Sequence, residues 1–221
     1  MENGRVQITV KTQKRIYLMR HGHTFDVTPD APILEAEAQL TEKGRAQAEE
    51  TAVFLNKHIQ FDAIYSTELQ RTIDTATPIA TLQNLSITQL ADLNELRFDL
   101  PSGSTFKDLY KAFQALRDEL KQRPLDEIVM GKRPFSEIFN GYLSGLQTVL
   151  DGPGDTILVV AHGGTNMMLI CYVLGLPLHR LMRFHQNNCG INIIDCLPPG
   201  RFALRLLNYT CWDPLKGTIA M

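Results

Sequence analysis

The run TILVVA, Thr156–Ala161, constrains the fold more than any other stretch of the chain. It is continuous, largely β-branched and uncharged, with no polar alternation. Such a run is a strand buried on both faces, as in a sheet with helices above and below. GPGD, Gly152–Asp155, is the turn that leads into it, and His162-Gly163-Gly164 follows at once.

The rest of the chain supplies the layers. RIYLMR, Arg15–Arg20, and FDAIY, Phe61–Tyr65, are further short apolar runs rich in β-formers. Val6–Val10, VQITV, alternates and predicts an extra edge strand. Thr41 predicts the N-cap of a helix to about Lys57, with Ala46, Ala48, Ala52 and Leu55 as a small-residue face. Ser66 or Thr67 predicts the cap of a second helix through about Leu82. A third helix follows from about Gly164 to Leu174. Ile191–Asp195 and Phe202–Leu207 end the chain as strands. In the middle, Phe106, Leu109, Tyr110, Phe113, Leu116 and Leu120 recur at helical spacing. So do Phe135, Ile138, Phe139, Tyr142, Leu143, Leu146 and Leu150. Pro124, Gly131 and Pro134 break the chain between these two helices. Strand and helix alternating in this way predict an α/β fold with a largely parallel sheet. With 221 residues, the expectation is one domain over 1–221 with an insertion at about 96–134.

Composition narrows the partners. Formal net charge is -2, so no strong field points to nucleic acid or an anionic membrane. No apolar run approaches the roughly 18 residues that span a bilayer. The first residues are polar and lack the apolar core of a secretory signal. The four cysteines, Cys171, Cys189, Cys196 and Cys211, show no CxxC spacing and read as reduced thiols, which suits a cytoplasmic location.

In open α/β sheets, ligands bind beyond the carboxyl ends of the strands. Arg20-His21 lies past one predicted strand end, Ser66–Arg71 past a second and His162-Gly163 past a third. Glu95 comes from the loop after Leu90. Two arginines supply planar donor forks that match phosphate oxygens. Two histidines can attack phosphorus or donate to its oxygens, and a carboxyl can protonate a leaving alkoxide. The inventory suits phosphoryl transfer through phosphohistidine with no cofactor and no metal. His21 and His23 as a metal-binding pair is a poorer reading, because two arginines in the same mouth repel a cation.

These residues also carry a family resemblance. RHG at Arg20–Gly22 with Thr24, LTEKG at Leu40–Gly44, YSTELQRTIDTA at Tyr65–Ala76, NEL at Asn94–Leu96 and VVAHGG at Val159–Gly164 together resemble the histidine phosphatase superfamily, in its phosphoglycerate mutase-like branch. The resemblance implies a three-layer α/β/α sandwich with a small helical lid. It implies His21 as nucleophile, with Arg20, Arg71 and His162 binding the phosphoryl group. Glu95 would be the proton donor, with Asp99 as the alternative. Thr24 and the Gly163 amide would add hydrogen bonds, and His23 would face the substrate.

Three departures bear on substrate rather than chemistry. Asp26 and Val27 stand where the family's mutases carry an asparagine, TPDAPILEAEAQ (Thr28–Gln39) replaces a glycine- and tryptophan-containing loop, and LRFDLPSG follows Glu95. They weaken the reading as a phosphoglycerate mutase-type phosphoryl transferase, and the missing asparagine argues for hydrolysis. A lid of this size favours a phosphatase acting on a small phosphorylated metabolite, and the presence of every expected catalytic residue type argues against a non-catalytic binding module. Arg97, Lys107, Lys111, Lys132 and Arg133 read as a solvated face rather than an anion funnel. A homodimer through the apolar C-terminal strands is allowed but not demanded.

Overall fold

The computed structural model describes residues 6–25, 30 and 38–212. Six strands form one sheet in the order β3-β2-β6-β1-β7-β8. These are β1 (Lys14–Arg20), β2 (Ala63–Ser66), β3 (Ile87–Gln89), β6 (Thr156–Ala161), β7 (Ile191–Leu197) and β8 (Arg201–Tyr209). β1, β2, β3 and β6 run parallel, while β7 lies antiparallel to both β1 and β8. The hairpin β7–β8 is therefore an antiparallel extension of a parallel core. The short connection Pro198–Gly200 permits it, because a parallel crossover would need a dozen residues or more.

The central strands are buried as their sequences require. In β1, Ile16 and Leu18 join one core while Tyr17 and Met19 join the other. β6 divides in the same way, with Ile157, Val159 and Ala161 on one side and Leu158 and Val160 on the other. Helices α1 (Glu42–His58) and α2 (Gln70–Gln83) cover one face; α4 (Phe135–Asp151) and α5 (Gly163–Val173) cover the other. This is a three-layer α/β/α arrangement. Phe135, Phe139, Tyr142, Leu143, Leu146 and Leu150 all face the core, as the spacing in α4 predicts. α3 (Phe106–Gln122) differs: of its stripe only Leu116 is fully buried. The strands β4 (Val129–Met130) and β5 (Arg133–Pro134) form a small hairpin between α3 and α4. Among the described residues, no helix is long and apolar enough to cross a membrane.

Two local expectations are corrected. Val6–Val10 is not a strand. Ile8 and Val10 do reach the core, but Gln147 replaces a ladder neighbour: its Oε1 accepts from the Thr9 amide at 2.8 Å and its Nε2 donates to the Thr9 carbonyl at 3.0 Å. The second helix starts at Gln70 with Leu69 at its N-cap, not at Ser66 or Thr67, because the Thr67 hydroxyl is engaged elsewhere. Asp26, Val27 and most of Thr28–Gln39 lie outside the described residues.

Candidate active site

Sheet register brings the polar clusters together. Arg20 pairs with Ala161, and Ser66 with Val160, so β1, β2 and β6 end at one level. Arg20 and His21 leave β1, Thr67 leaves β2 and His162 leaves β6 there. His162 is the N-cap of α5, and Arg71 sits in the first turn of α2.

His21 is buried, and its neighbours define its protonation. Its Nδ1 lies 2.8 Å from the Gly22 carbonyl oxygen. A carbonyl can only accept, so Nδ1 carries the hydrogen and Nε2 keeps the lone pair. Burial, followed by the charges of Arg20 and Arg71, holds His21 well below the usual histidine pKa, opposed by the Gly22 hydrogen bond. The ring is therefore neutral near pH 7. The His21 and His162 rings lie 5.4 Å apart, centroid to centroid.

The turn after β1 is held by close backbone packing. A Cβ on Gly22 would lie 2.6 Å from the Gly44 carbonyl oxygen, and one on Gly44 would lie 2.0 Å from the His23 carbonyl oxygen. The glycines of RHG and LTEKG thus let two backbones touch. The Gly22 amide donates to Thr75 Oγ1 at 2.9 Å, the His23 amide to Gln47 Oε1 at 3.0 Å and the Thr41 amide to the His23 carbonyl at 3.0 Å. His23 Nδ1 lies 2.8 Å from Thr41 Oγ1. His23 therefore braces the turn against the cap of α1 and is absent from the described lining of the cleft, unlike Thr24. Gly163 and His162 are also absent from that lining. A Cβ on Gly163 would sit 3.5 Å from Arg20 Nε, which places this glycine beside the arginine.

Arg20 donates through Nη1 to the Gln186 carbonyl at 2.5 Å, while its Nε is buried with no protein partner. His162 Nδ1 is likewise buried and unpartnered. Buried polar atoms without a partner are rare, and these two belong to side chains at the same strand ends as His21. Burial lowers the pKa of both Arg20 and Arg71, and the Glu95 carboxylate opposes that in each.

Glu95 lies across the site, accepting from the Leu96 amide at 3.0 Å and the Gly164 amide at 3.1 Å. Burial raises its pKa, against the Leu96 hydrogen bond, the charges of Arg20 and Arg71, and the Gly164 hydrogen bond. Asp99 is exposed, and its carboxylate packs beside Gly131 of the β4–β5 turn. Of the two carboxyls, Glu95 holds the position between α5 and the arginines.

A cleft of about 640 Å³ opens over these groups. Its floor includes Arg20, His21, Arg71 and Glu95; its walls come from Thr24, Phe25, residues 96–104, Phe106 and Leu109. The Phe25 and Phe106 rings stand 5.0 Å apart. Arg97 is exposed, as a solvated face requires, and it also lines the mouth of the cleft. Lys111 pairs instead with Asp108 on α3, and Arg133 with Glu137 on α4. Among the described residues, no three His, Cys, Asp or Glu are grouped to hold a metal ion.

One element is not foreseen from the sequence. The loop before β7, HQNNCG (His185–Gly190), folds under Arg20 and His21. Asn188 Nδ2 donates to the His21 carbonyl at 3.1 Å and lines the cleft, and the Cys189 amide donates to the Arg20 carbonyl at 3.0 Å. Gln186 and Asn192 exchange amide hydrogen bonds of 3.2 and 2.7 Å. Three consecutive amide side chains ahead of an apolar strand are the signal available in the sequence.

Comparison with known proteins shows the family and the fold. The chain is 28% identical over 210 residues to 2-carboxy-D-arabinitol-1-phosphatase of Triticum aestivum, a match covering 92% of this chain and 42% of the wheat protein. The chain spans less than half the length of the plant relatives it matches. Among solved structures, phosphoserine phosphatase from Entamoeba histolytica, in complex with 3-phosphoglyceric acid, is 25% identical with a TM-score of 0.71 over 90% of this chain and 98% of that one. A mycobacterial glucosyl-3-phosphoglycerate phosphatase shares the fold, with 20% identity and a TM-score of 0.70 over 89% of this chain and 99% of that one. The profile of the histidine phosphatase superfamily (branch 1) matches residues 16–210, from the first residues of β1 to just past the end of β8, and to that family this chain belongs.

Proposed function

We propose that this chain is a phosphatase that hydrolyses phosphomonoesters of a small metabolite through a phosphohistidine on His21. The observation that carries the reading is the set of nitrogens at the strand ends. His21 Nε2 keeps its lone pair because Nδ1 donates to Gly22, Arg20 directly precedes it at the end of β1, and the His162 ring lies 5.4 Å away, centroid to centroid. In the first half-reaction Nε2 bonds to phosphorus as the ester P–O bond breaks, and Glu95 donates a proton to the leaving oxygen. In the second, water attacks phosphorus, Glu95 takes a proton from it, the P–N bond breaks and phosphate leaves. Arg20 and Arg71, joined by His162 once protonated, stabilise the charge on the transferring oxygens, the part a metal ion plays in other phosphoryl transferases. A raised carboxyl pKa suits Glu95 to the acid role, whereas Asp99 is exposed and packs beside the hairpin.

The cleft points to the class of leaving group. Arg97 lines it within reach of the charge on Arg71 and has no carboxylate partner among the described residues. A third cation beside a phosphoryl pocket suits a substrate with a second anionic group. The relatives named above act on or bind phosphorylated carboxylic acids, which fits that reading. The segment 96–134 is the proposed lid that reads this part of the substrate.

The test is phosphate release from phosphoserine, 3-phosphoglycerate and p-nitrophenyl phosphate, with a chelator present, by wild type and His21→Ala. Release by the wild type that is lost in the variant supports the mechanism. Release that survives His21→Ala overturns it, and formation of phosphate isomers without release would favour a mutase.

A further inference from the structure

We infer that Thr67 and Thr72 are positioning residues that hold His162 as its Nε2–H tautomer, through a hydroxyl chain with only one direction. All three side chains are completely buried. Thr72 Oγ1 lies 2.7 Å from the Leu69 carbonyl oxygen and 3.2 Å from the Thr67 carbonyl oxygen. Carbonyls only accept, so the single Thr72 hydroxyl hydrogen is directed at them. Reversing it would leave two acceptor oxygens facing each other at 2.7 Å with no hydrogen between. Thr72 Oγ1 must then accept from Thr67 Oγ1, 2.8 Å away. Thr67 has no other hydrogen to give. Its oxygen already receives the Leu69 amide at 3.3 Å, and it faces His162 Nε2 at 3.0 Å. Nε2 must therefore be the donor.

The consequence falls on the other ring nitrogen. With Nε2 protonated, neutral His162 carries its lone pair on Nδ1, the atom left without a protein partner. A proton arriving at His162 can only settle there, and it turns Nδ1 into a charged donor. The two histidines thus stand in opposite tautomers: His21 is protonated on Nδ1 toward the Gly22 carbonyl, and His162 on Nε2 toward Thr67. The Thr67 oxygen also stabilises the imidazolium, since it accepts from Nε2–H in both charge states.

Nitrogen-15 correlation spectra of the ligand-free wild type, with histidine labelled and signals assigned by their loss in His162→Asn, test the tautomer without reference to activity. The expected pattern for His162 is the Nε2–H tautomer; an Nδ1–H tautomer or an imidazolium at pH 7.5 overturns the inference. Thr67→Val should move His162 away from the pure Nε2–H pattern while His21 keeps its own, and Thr67→Ser should restore it. An unchanged pattern in Thr67→Val, or a serine variant that behaves like valine, would mean that packing alone holds the ring. The kinetic arm rests on the proposed phosphatase reading: kcat should fall about tenfold in Thr67→Val with little change in KM, the scale of one buried hydrogen bond. The pH limb due to His162 should move to lower pH. A wild type without phosphatase activity would remove that arm and leave the spectra to decide.

Discussion

Replacing Gly44 by alanine tests whether a backbone contact positions His21. The new Cβ would stand 2.0 Å from the His23 carbonyl oxygen and 2.9 Å from the His23 carbonyl carbon and amide nitrogen, where ordinary contact begins at 3.4 Å. The oxygen is 1.4 Å too near (3.4 less 2.0), and no flexible side chain can swing aside, because both partners are backbone. Relief requires the first turn of α1 to move away from Gly22 and His23. That movement strains the Thr41–His23 and His23–Gln47 hydrogen bonds, both 3.0 Å. Overpacking of this kind costs about 1–3 kcal/mol. A middle value of about 2 kcal/mol lowers Tm by about 4–8 °C in a domain of this size. Displacing His21 by about 1 Å costs on the order of a hundredfold in kcat. Gly141→Ala is the control. It lies inside α4, where a Cβ meets nothing within 4 Å. Alanine should stabilise that helix by about 0.5–1 kcal/mol and leave turnover unchanged. Thermal melts by circular dichroism and hydrolysis of p-nitrophenyl phosphate give the two readouts. A Gly44→Ala protein that melts with the wild type and turns over at its rate would refute the argument.

Other consequences follow from the site. Glu95→Gln should slow hydrolysis of phosphoserine by about 10²–10⁴-fold and p-nitrophenyl phosphate much less, since nitrophenolate leaves without a proton; equal losses on both would argue against the acid role. The same variant should melt higher than the wild type at pH 8. Burial raises the Glu95 pKa, so the folded state bears the cost of its charged form above that pKa and is relieved of it as pH falls; the gain should shrink toward pH 4. The two buried histidines act with the opposite sign. Both are held well below the usual value, so the unfolded chain binds protons first as pH drops below about 6.5, and stability should fall there. Added orthovanadate should offset that loss, and His162→Asn should make the slope shallower. Arg97→Gln should lower kcat/KM for phosphoserine by about 10- to 100-fold, the scale of a hydrogen bond to a charged group, and spare p-nitrophenyl phosphate.

The sequence was legible where one physical requirement dominates. The continuous apolar run Thr156–Ala161 is β6 with those same bounds, and Thr41 caps α1 as its position before Glu42 predicts. Most of the buried stripe of α4 follows from the 3.6-residue period; Ile138 is only partly buried, and Val149 is buried though it lies outside the predicted stripe. Legibility failed where a side chain substitutes for backbone. Gln147 takes the place of a strand beside Val6–Val10, and Thr67 is drawn to His162 instead of capping α2. It failed also for β3, β4 and β5, two or three residues each, which are too short to show a period. The His185–Gly190 loop carries no periodicity, and its polarity is ordinary for a connection. Its role appears only when the chain folds back beneath Arg20 and His21.

The same division separates the two halves of the site. Arg20, His21, Arg71 and His162 each adjoin the end of a strand or the first turn of a helix, and each element is pinned by a core that tolerates little change. Motifs can therefore name those residues, because fold and chemistry constrain the same positions. The groups that would meet the leaving alcohol come instead from a loop, a partly buried helix and the turn after β1: Arg97, Phe106 and Phe25. None of these packs in the central sheet, so their identities are free to follow the substrate. It follows that exchanging Arg97, Phe25 or Phe106 should change which ester is cleaved while leaving the burst of phosphohistidine formation on p-nitrophenyl phosphate intact. A variant of His162 or Arg71 should do the reverse, and lose the burst on every ester.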